Sequence, residues 1–473
     1  MTKITFGTSG WRALYHEDFI RSNVELVCQA IADEVRRNGV GEGVAIGYDV
    51  RFMGKEFAQL AASIMAGNDI RAWLVERDVP TPVLSHAIVS RKLAGGINFT
   101  ASHNPFTYNG IKYSPESGGP ALPEATERIE ARIRELQRDP TIKKRPFEAA
   151  RREGLIEMLD PRPDYLEALS ALVQTKQLRG LGERRIAIDC KHSVARGYLD
   201  RFLSNARVRV YTMNDKPDPY FGFEHPEPSR GYIDGLQKYV ANHEDVALGL
   251  ACDGDADRFG IVDEDGSFVE ANLILALLLD YLAESRGWTG GVARSVATTH
   301  LMDRVATSRG LTLHETPVGF KYIGDMLTKG EIVFGGEESA GMTIAGHLPE
   351  KDGILACILV AEMVAATGKT LQQLTSALFE RVGTVLDVRD SLRLTPEVDA
   401  AFDEKIAKLP PELGGRPVVR IDRTDGTKLF FEGDDWVLLR KSGTEPLVRI
   451  YAEASSGPVV DSLIDACKSW LSS

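Results

Sequence analysis

Four polar loops carry the side chains that could do chemistry, and each follows an apolar run. The first is Thr100-Ala101-Ser102-His103-Asn104-Pro105, set directly after Leu93 to Phe99. A serine beside an imidazole, on backbone pinned by proline at the end of a predicted strand, can carry an acyl or phosphoryl group. Open α/β sheets bind ligands at that edge. The second loop is Asp253-Gly254-Asp255-Ala256-Asp257-Arg258. Carboxylates at i, i+2 and i+4 with small residues between them can converge on one hard cation. So few protein ligands favour Mg2+ completed by phosphate or water over a full Ca2+ cage. An EF-hand reading puts Glu264 at position 12, but it also puts Arg258 at position 6, where glycine is required.

The third loop, Gly335-Gly336-Glu337-Glu338-Ser339-Ala340-Gly341, sets carboxylates beside a hydroxyl and suits vicinal sugar hydroxyls as donors. On its own it is equally an acidic turn. The fourth, Arg440-Lys441-Ser442-Gly443-Thr444-Glu445-Pro446, gathers cations and hydroxyls around a glycine, with Arg449 on the following strand. Guanidinium forks and hydroxyls make a phosphate cradle, although the spacing of a P-loop is absent. Arg12, in Gly7-Thr8-Ser9-Gly10-Trp11-Arg12, could neutralise a phosphoryl group. Lys112 and Lys351 could donate protons if burial or cationic neighbours lowered their pKa values.

Positioning these loops requires strands that end where they begin. Short β-branched runs such as Val44 to Tyr48, Ala72 to Val75, Arg185 to Asp189 and Val246 to Ala251 alternate with helical patterns, which argues for βαβ units. With 473 residues the chain exceeds one core. We expect an α/β protein of four domains: three similar mixed α/β sandwiches and a smaller α+β C-terminal domain around a central cleft. The expected spans are 1–150 (the serine loop), 151–257 (the metal loop), 258–375 (the sugar loop) and 376–473 (the phosphate loop). The charged stretch from Arg138 to Arg162 reads as a connector, and Ile274 to Leu282, interrupted by Asp280, reads as a core helix too short to span a bilayer.

A net charge of −12 without any run of five or six lysines or arginines argues against a nucleic-acid partner. Five scattered cysteines (Cys28, Cys190, Cys252, Cys357 and Cys467) without paired spacing predict buried thiols in a reducing compartment. No charged then apolar leader opens the sequence, so the expectation is a cytoplasmic protein without a membrane partner, a monomer or weak homodimer.

In this order and over nearly the whole chain, the four loops resemble the α-D-phosphohexomutase superfamily. The resemblance implies that Ser102 is a phosphoserine and that Asp253, Asp255 and Asp257, with Ser102 itself, ligate Mg2+. It implies that Glu337 and Ser339 read sugar hydroxyls, and that Arg440, Ser442, Gly443, Thr444 and Arg449 hold the non-reacting phosphate. Arg12 matches the arginine near the reacting phosphate. His103, Lys112 and Lys351 become candidates for positioning or proton transfer, and Ser9, Arg258 and His347 complete the substrate-binding set. Two positions depart from the pattern. Ala340 stands where a second glycine is common, and Asp189-Cys190-Lys191-His192-Ser193 replaces a glycine-rich turn.

The activity this resemblance implies is interconversion of glucose 1-phosphate and glucose 6-phosphate through a bound glucose 1,6-bisphosphate. The small-molecule partner is then a sugar phosphate. The Glu-Glu-Ser form of the third loop, with Val318 to Lys321 and His347 to Lys351, looks more like glucose-preferring members than the amino-sugar group. Phosphomannomutase or dual specificity is the close alternative. A metal-dependent sugar phosphatase is the alternative of another class.

Overall fold

The apolar runs become the inner strands of four main sheets in the computed structural model, which describes residues 3–7, 10–442 and 447–472. In the first sheet Gly95–Phe99, Val44–Tyr48, Ala72–Val75 and Ile156–Leu159 lie parallel, and Tyr108–Pro115 and Trp11–Leu14 add antiparallel at one side. Val44–Tyr48 and Gly95–Phe99 are buried at every position. That is the signature of parallel strands covered on both faces.

The second and third sheets repeat the plan. Arg209–Met213, Arg185–Asp189 and Val246–Cys252 run parallel, and Phe259–Val262 then returns antiparallel to the last of them. Thr312–Thr316, Gly291–Ser295 and Ile332–Glu337 run parallel, and Gly341–Ile344 returns. In each sheet the loop singled out by its chemistry is the turn between an inner parallel strand and its antiparallel neighbour. The fourth sheet is antiparallel throughout, ordered Leu386–Arg393, Leu447–Ala454, Trp436–Lys441, Thr427–Phe430, Arg420–Asp422, with helix Gly457–Ser472 packed on it. Its chemical loop lies between the paired strands Trp436–Lys441 and Leu447–Ala454, with 443–446 outside the described residues.

These elements move the breaks expected from sequence. The stretch after Arg138 is no bare connector: it forms helix Phe147–Arg152 and then strand Ile156–Leu159, whose buried Ile156 and Leu159 extend the first sheet past residue 150. A cut at 257 would part the hydrogen-bonded pair Val246–Cys252 and Phe259–Val262, because the polar loop there is a hairpin and not a border. A cut at 375 falls inside helix Leu371–Val382.

Apolar burial from the first three sheets merges into one cluster. Helix Ala271–Arg286 is buried along its apolar face, as the sequence suggested, and Gly353–Thr367 is buried almost throughout. All five cysteines are buried and free. The fourth sheet has its own core and meets the third across Val296, Ala297, Phe430, Trp436, Leu438 and Tyr451.

Glu453 sits at that junction, 2 % exposed, accepting from Trp436 Nε1 at 2.8 Å and from the His300 backbone N–H at 3.1 Å. Burial pushes its carboxyl up to about 7 from an ordinary 4.5. The folded protein therefore binds a proton that the unfolded chain releases, so stability falls as pH rises from about 4.5 through 7. Glu453→Gln is expected to remove about 1–3 kcal/mol of this pH dependence. Urea unfolding at pH 5 and pH 8 measures it, and an unchanged slope would contradict the assignment.

Candidate active site

Asp253, Asp255 and Asp257 are each no more than 1 % exposed, with carboxylate oxygens within 4.8 Å of one another. Like charges so close and so dry demand compensation. It arrives from neighbouring domains. Lys112, on Tyr108–Pro115 of the first, places Nζ 2.5 Å from Asp255 Oδ2 and 2.7 Å from Asp257 Oδ2. Lys351, from the third, places Nζ 3.2 Å from Asp257 Oδ2. Burial alone would lower both ammonium groups, but Asp255 and Asp257 on Lys112, and Asp257 and Glu350 on Lys351, outweigh it and hold both above the ordinary lysine value. The lowered lysine pKa values entertained from sequence are thus reversed: both stay charged.

Burial, with Asp255 and Asp257 beside it, raises the Asp253 carboxyl well above the usual range. Asp257 goes the other way: burial is overcome by Lys112, Lys351 and Arg258, and its carboxyl is lowered. Asp255 Oδ1 and Asp257 Oδ1 are buried without a hydrogen-bond partner. Buried polar oxygens are nearly always paired. Two orphaned oxygens in an all-oxygen donor set fit a hard divalent cation such as Mg2+.

Ser102, 1 % exposed, donates from Oγ to Asp253 Oδ2 at 2.7 Å, and its Oγ lies 3.2 Å from His103 Nδ1. Burial, with Arg258 and Arg12 nearby, lowers the His103 imidazole well below its ordinary value, so the ring is neutral at neutral pH. Its Nε2 faces Glu227 at 3.8 Å, and Glu227 also pairs with Arg258 Nη1 at 3.2 Å. Arg12 Nη1 reaches Asn104 Oδ1 at 2.6 Å, which places it on the serine loop. Glycine at 254 is required by this approach: a Cβ there would stand 2.4 Å from the Ser102 carbonyl oxygen.

The residues that shape this loop were not legible as a motif. Asp49 and Arg51 leave strand Val44–Tyr48 and look like an ordinary charged turn. Asp49 Oδ2 accepts from Thr100 Oγ1 at 2.7 Å, and Thr100 Oγ1 in turn accepts from the Ser102 N–H at 2.9 Å. Arg51 donates to the carbonyls of Ser102, Asn104, Pro105 and Tyr108 at 2.6–2.9 Å. An Asp-x-Arg beside an apolar strand end was the available signal.

Glu337, 5 % exposed, accepts from the Gly319 N–H at 2.7 Å, and burial beside Glu338 pushes its carboxyl up to about 7. Ser339 is partly exposed at the turn, and Ala340 adopts φ 66, the left-handed conformation a glycine would take there. Gly341 leaves room for the Lys351 side chain, whose Cδ would lie 2.2 Å from a Cβ. The other departure also holds its turn without glycine, with Lys191 at φ 47 and His192 at φ 56, and Ser193 Oγ donates to the Gly254 carbonyl inside the metal loop.

Arg440 and Arg449 stand directly opposite on adjacent antiparallel strands. Like charges so paired are unfavourable unless an anion joins them. Arg440 Nε is held by Asp425 Oδ1 at 2.9 Å, while Asp425 Oδ2 accepts from the Val318 N–H of the third domain at 3.0 Å. Ser442 N donates to Leu447 O at 2.8 Å. Ser9, Gly443 and Thr444 lie outside the described residues. The His347 ring is 2 % exposed and its Nε2 lies 2.7 Å from Asp352 Oδ2, which also accepts from Tyr165 OH. The Asp352 carboxylate that caps helix Gly353–Thr367 holds the ring in the core.

Family comparison assigns all four units. Residues 3–139, 163–266 and 270–382 match the phosphoglucomutase/phosphomannomutase alpha/beta/alpha domains I, II and III, and residues 396–468 match the C-terminal domain of the same family. The chain is 31 % identical to a phosphoglucomutase of Komagataeibacter xylinus, over 96 % of this chain and 87 % of that one. It is 32 % identical to the "Probable phosphoglucosamine mutase" of Pyrococcus abyssi, over 97 % and 96 %. A crystal structure from Thermus thermophilus, described as a "putative phosphomannomutase", superposes with a TM-score of 0.86 at 32 % identity, covering 100 % of both chains. The protein therefore belongs to the phosphoglucomutase/phosphomannomutase family. It is an isomerase of the intramolecular phosphotransferase type.

One divalent cation per chain is expected to bind at the aspartate triad, and Asp255→Asn or Asp257→Asn should weaken it about tenfold or more through the lost ligand charge. Mn2+ binding followed by equilibrium dialysis tests this, and equal affinity in all three proteins would count against the site.

Proposed function

We propose that the protein interconverts glucose 1-phosphate and glucose 6-phosphate, with Ser102 phosphorylated at the start and end of each cycle. The observation that carries this reading is Ser102 Oγ, 2.7 Å from Asp253, a carboxylate of the triad that Lys112 and Lys351 pair with. A phosphoserine there would find its charge offset by Lys112, Lys351, Arg12 and Arg258, as the equatorial oxygens of a phosphoryl transfer require. Asp253, Asp255 and Asp257 would hold Mg2+ with a phosphoserine oxygen, and the ion would supply charge stabilisation to the transferring group.

The chain's own groups divide the remaining work. His103 Nδ1, 3.2 Å from Ser102 Oγ, stands beside the oxygen that gives up and regains the phosphoryl group and can hydrogen-bond to it. Glu337 accepts hydrogen bonds from sugar hydroxyls, and Ser339 adds a polar contact. Arg440, Ser442 and Arg449 hold the phosphate that is not reacting. A bound 1,6-bisphosphate then turns end for end before its second phosphate returns to Ser102. A cradle on a domain with its own core suits that reorientation.

In solved relatives of this fold, the N-acetylphosphoglucosamine mutases of Aspergillus fumigatus were crystallised with glucose 1,6-bisphosphate and with GlcNAc-6P and magnesium. Relatives called phosphoglucosamine mutase make an amino sugar the competing substrate. Comparing kcat/KM for glucose 1-phosphate, mannose 1-phosphate and glucosamine 1-phosphate decides between them. We expect glucose 1-phosphate to lead, and a higher value for either other sugar overturns the choice.

Ser102→Ala is expected to lower turnover at least about 10^4-fold, as for other catalytic nucleophiles, with the melting profile retained. An assay of glucose 1-phosphate with a trace of glucose 1,6-bisphosphate separates mutase from phosphatase. Steady phosphate release without glucose 6-phosphate would reject the mutase.

A further inference from the structure

We propose that Arg51 is a positioning residue for phosphoryl transfer, kept in place by Phe221 from the second domain. The proposal rests on Ser102 being the phosphoryl carrier. Arg51 is buried, and every one of its guanidinium N–H groups is used: Nε on Asp49 Oδ2 at 3.1 Å, one terminal nitrogen on the Pro105 and Tyr108 carbonyls, the other on those of Ser102 and Asn104. The planar fork thus gathers four carbonyls of one loop around itself. An ammonium has three donors on one atom and cannot reproduce that pattern.

The loop needs such a hold. Ser102 sits at φ 51, a left-handed conformation that costs a non-glycine residue free energy and persists only when its surroundings impose it. A serine that gives up and regains a phosphoryl group in each cycle must return to the same place, and a displacement of about 1 Å can cost about 100-fold in rate.

The second domain closes the other side. The Phe221 ring covers the Arg51 guanidinium, with Cζ 4.9 Å from its centroid. Phe221 and Phe223 both take left-handed backbone, at φ 52 and φ 63, and Phe106 of the serine loop meets Tyr220 and Phe223 edge-on at 5.4 and 5.7 Å. One turn of the second domain therefore touches both the brace and the loop it braces. Contact between the first two domains is thereby coupled to the place of Ser102.

The test compares wild type, Arg51→Lys and Phe221→Leu. Arg51→Lys is expected to lower kcat about 10- to 100-fold with KM for glucose 1-phosphate unchanged, because the phosphate cradle and sugar loop are untouched. Phe221→Leu, which keeps an apolar cover but loses the ring face, should lower kcat about three- to tenfold. In Arg51→Ala, added guanidinium should restore part of kcat where methylammonium does not. Unchanged kcat in Arg51→Lys, or a loss that only tracks the folded fraction by circular dichroism, overturns the proposal. Intact mass after incubation with glucose 1,6-bisphosphate separates the two readings. Wild type that has first been dephosphorylated and then gains no phosphoryl group on Ser102 refutes the carrier role itself. If wild type and Arg51→Lys gain it at equal rates and turn over equally, the carrier stands and only the brace fails.

Discussion

Three carboxylates buried within 4.8 Å of one another set the terms for the rest of this structure. Unit charges that close repel strongly once water is removed, and a domain carrying Asp253, Asp255 and Asp257 alone would have to protonate them or expose them. Lys112 comes from the first domain and Lys351 from the third, and both are nearly solvent-free. Each lysine would in turn be costly to bury without the aspartates. The domains thus supply one another's missing charge. The opposite shifts of Asp253 and Asp257 show the compensation to be uneven, with the positive side groups gathered at Asp257.

Each of the first three domains delivers its loop by the same device. An inner parallel strand ends, the chain turns, and the next strand returns antiparallel. Within each turn one residue that is not glycine takes a left-handed φ: Ser102 at 51°, Ala256 at 59° and Ala340 at 66°. Such backbone is tolerated where the surroundings over-determine it. Here they do: Arg51 and Thr100 hold the first turn, Ser193 and Gly353 bond to the Gly254 and Ala256 carbonyls of the second, and the Phe259 N–H bonds to the Ala340 carbonyl of the third. The second turn is therefore locked by a residue of the third segment, and the third turn by a residue of the second.

This device explains what was legible. The chemical loops stood out because each interrupts an apolar run with residues that a strand end would not otherwise carry, and their order along the chain was itself informative. The domain borders were misplaced for a related reason: a polar hairpin turn such as 253–258 looks like a linker until its second strand, Phe259–Val262, is seen to pair with the first. His347, expected in the substrate-binding set, is drawn inward by its partner Asp352. Arg51 left only an Asp-x-Arg at a strand end as its signal, since its other partners are backbone carbonyls, which leave no trace in side-chain patterns. The lysine pKa values could not be signed without knowing which carboxylates they would meet.

The fourth domain completes the logic by differing from the others. It places Arg440 directly opposite Arg449 on paired strands, so two guanidinium groups come side by side there. Its own core lets it be a separate body, yet Asp425 ties Arg440 to the Val318 N–H of the third domain, and Lys428 donates to the Val296 carbonyl at 2.7 Å. Under the proposed function, a sugar with a phosphate at either end is gripped at one end while the other reacts, and the grip serves both orientations. Guanidinium groups recognise a phosphate by its array of oxygens and ignore which sugar carbon bears it. The sugar must then be read elsewhere, and buried Glu337 lies in a loop packed between Lys351 and the junction with the fourth domain. Under the proposed function, reaction type resides in the charges of the first two loops and the choice of sugar falls to the third, where Ala340 takes a left-handed φ of 66°.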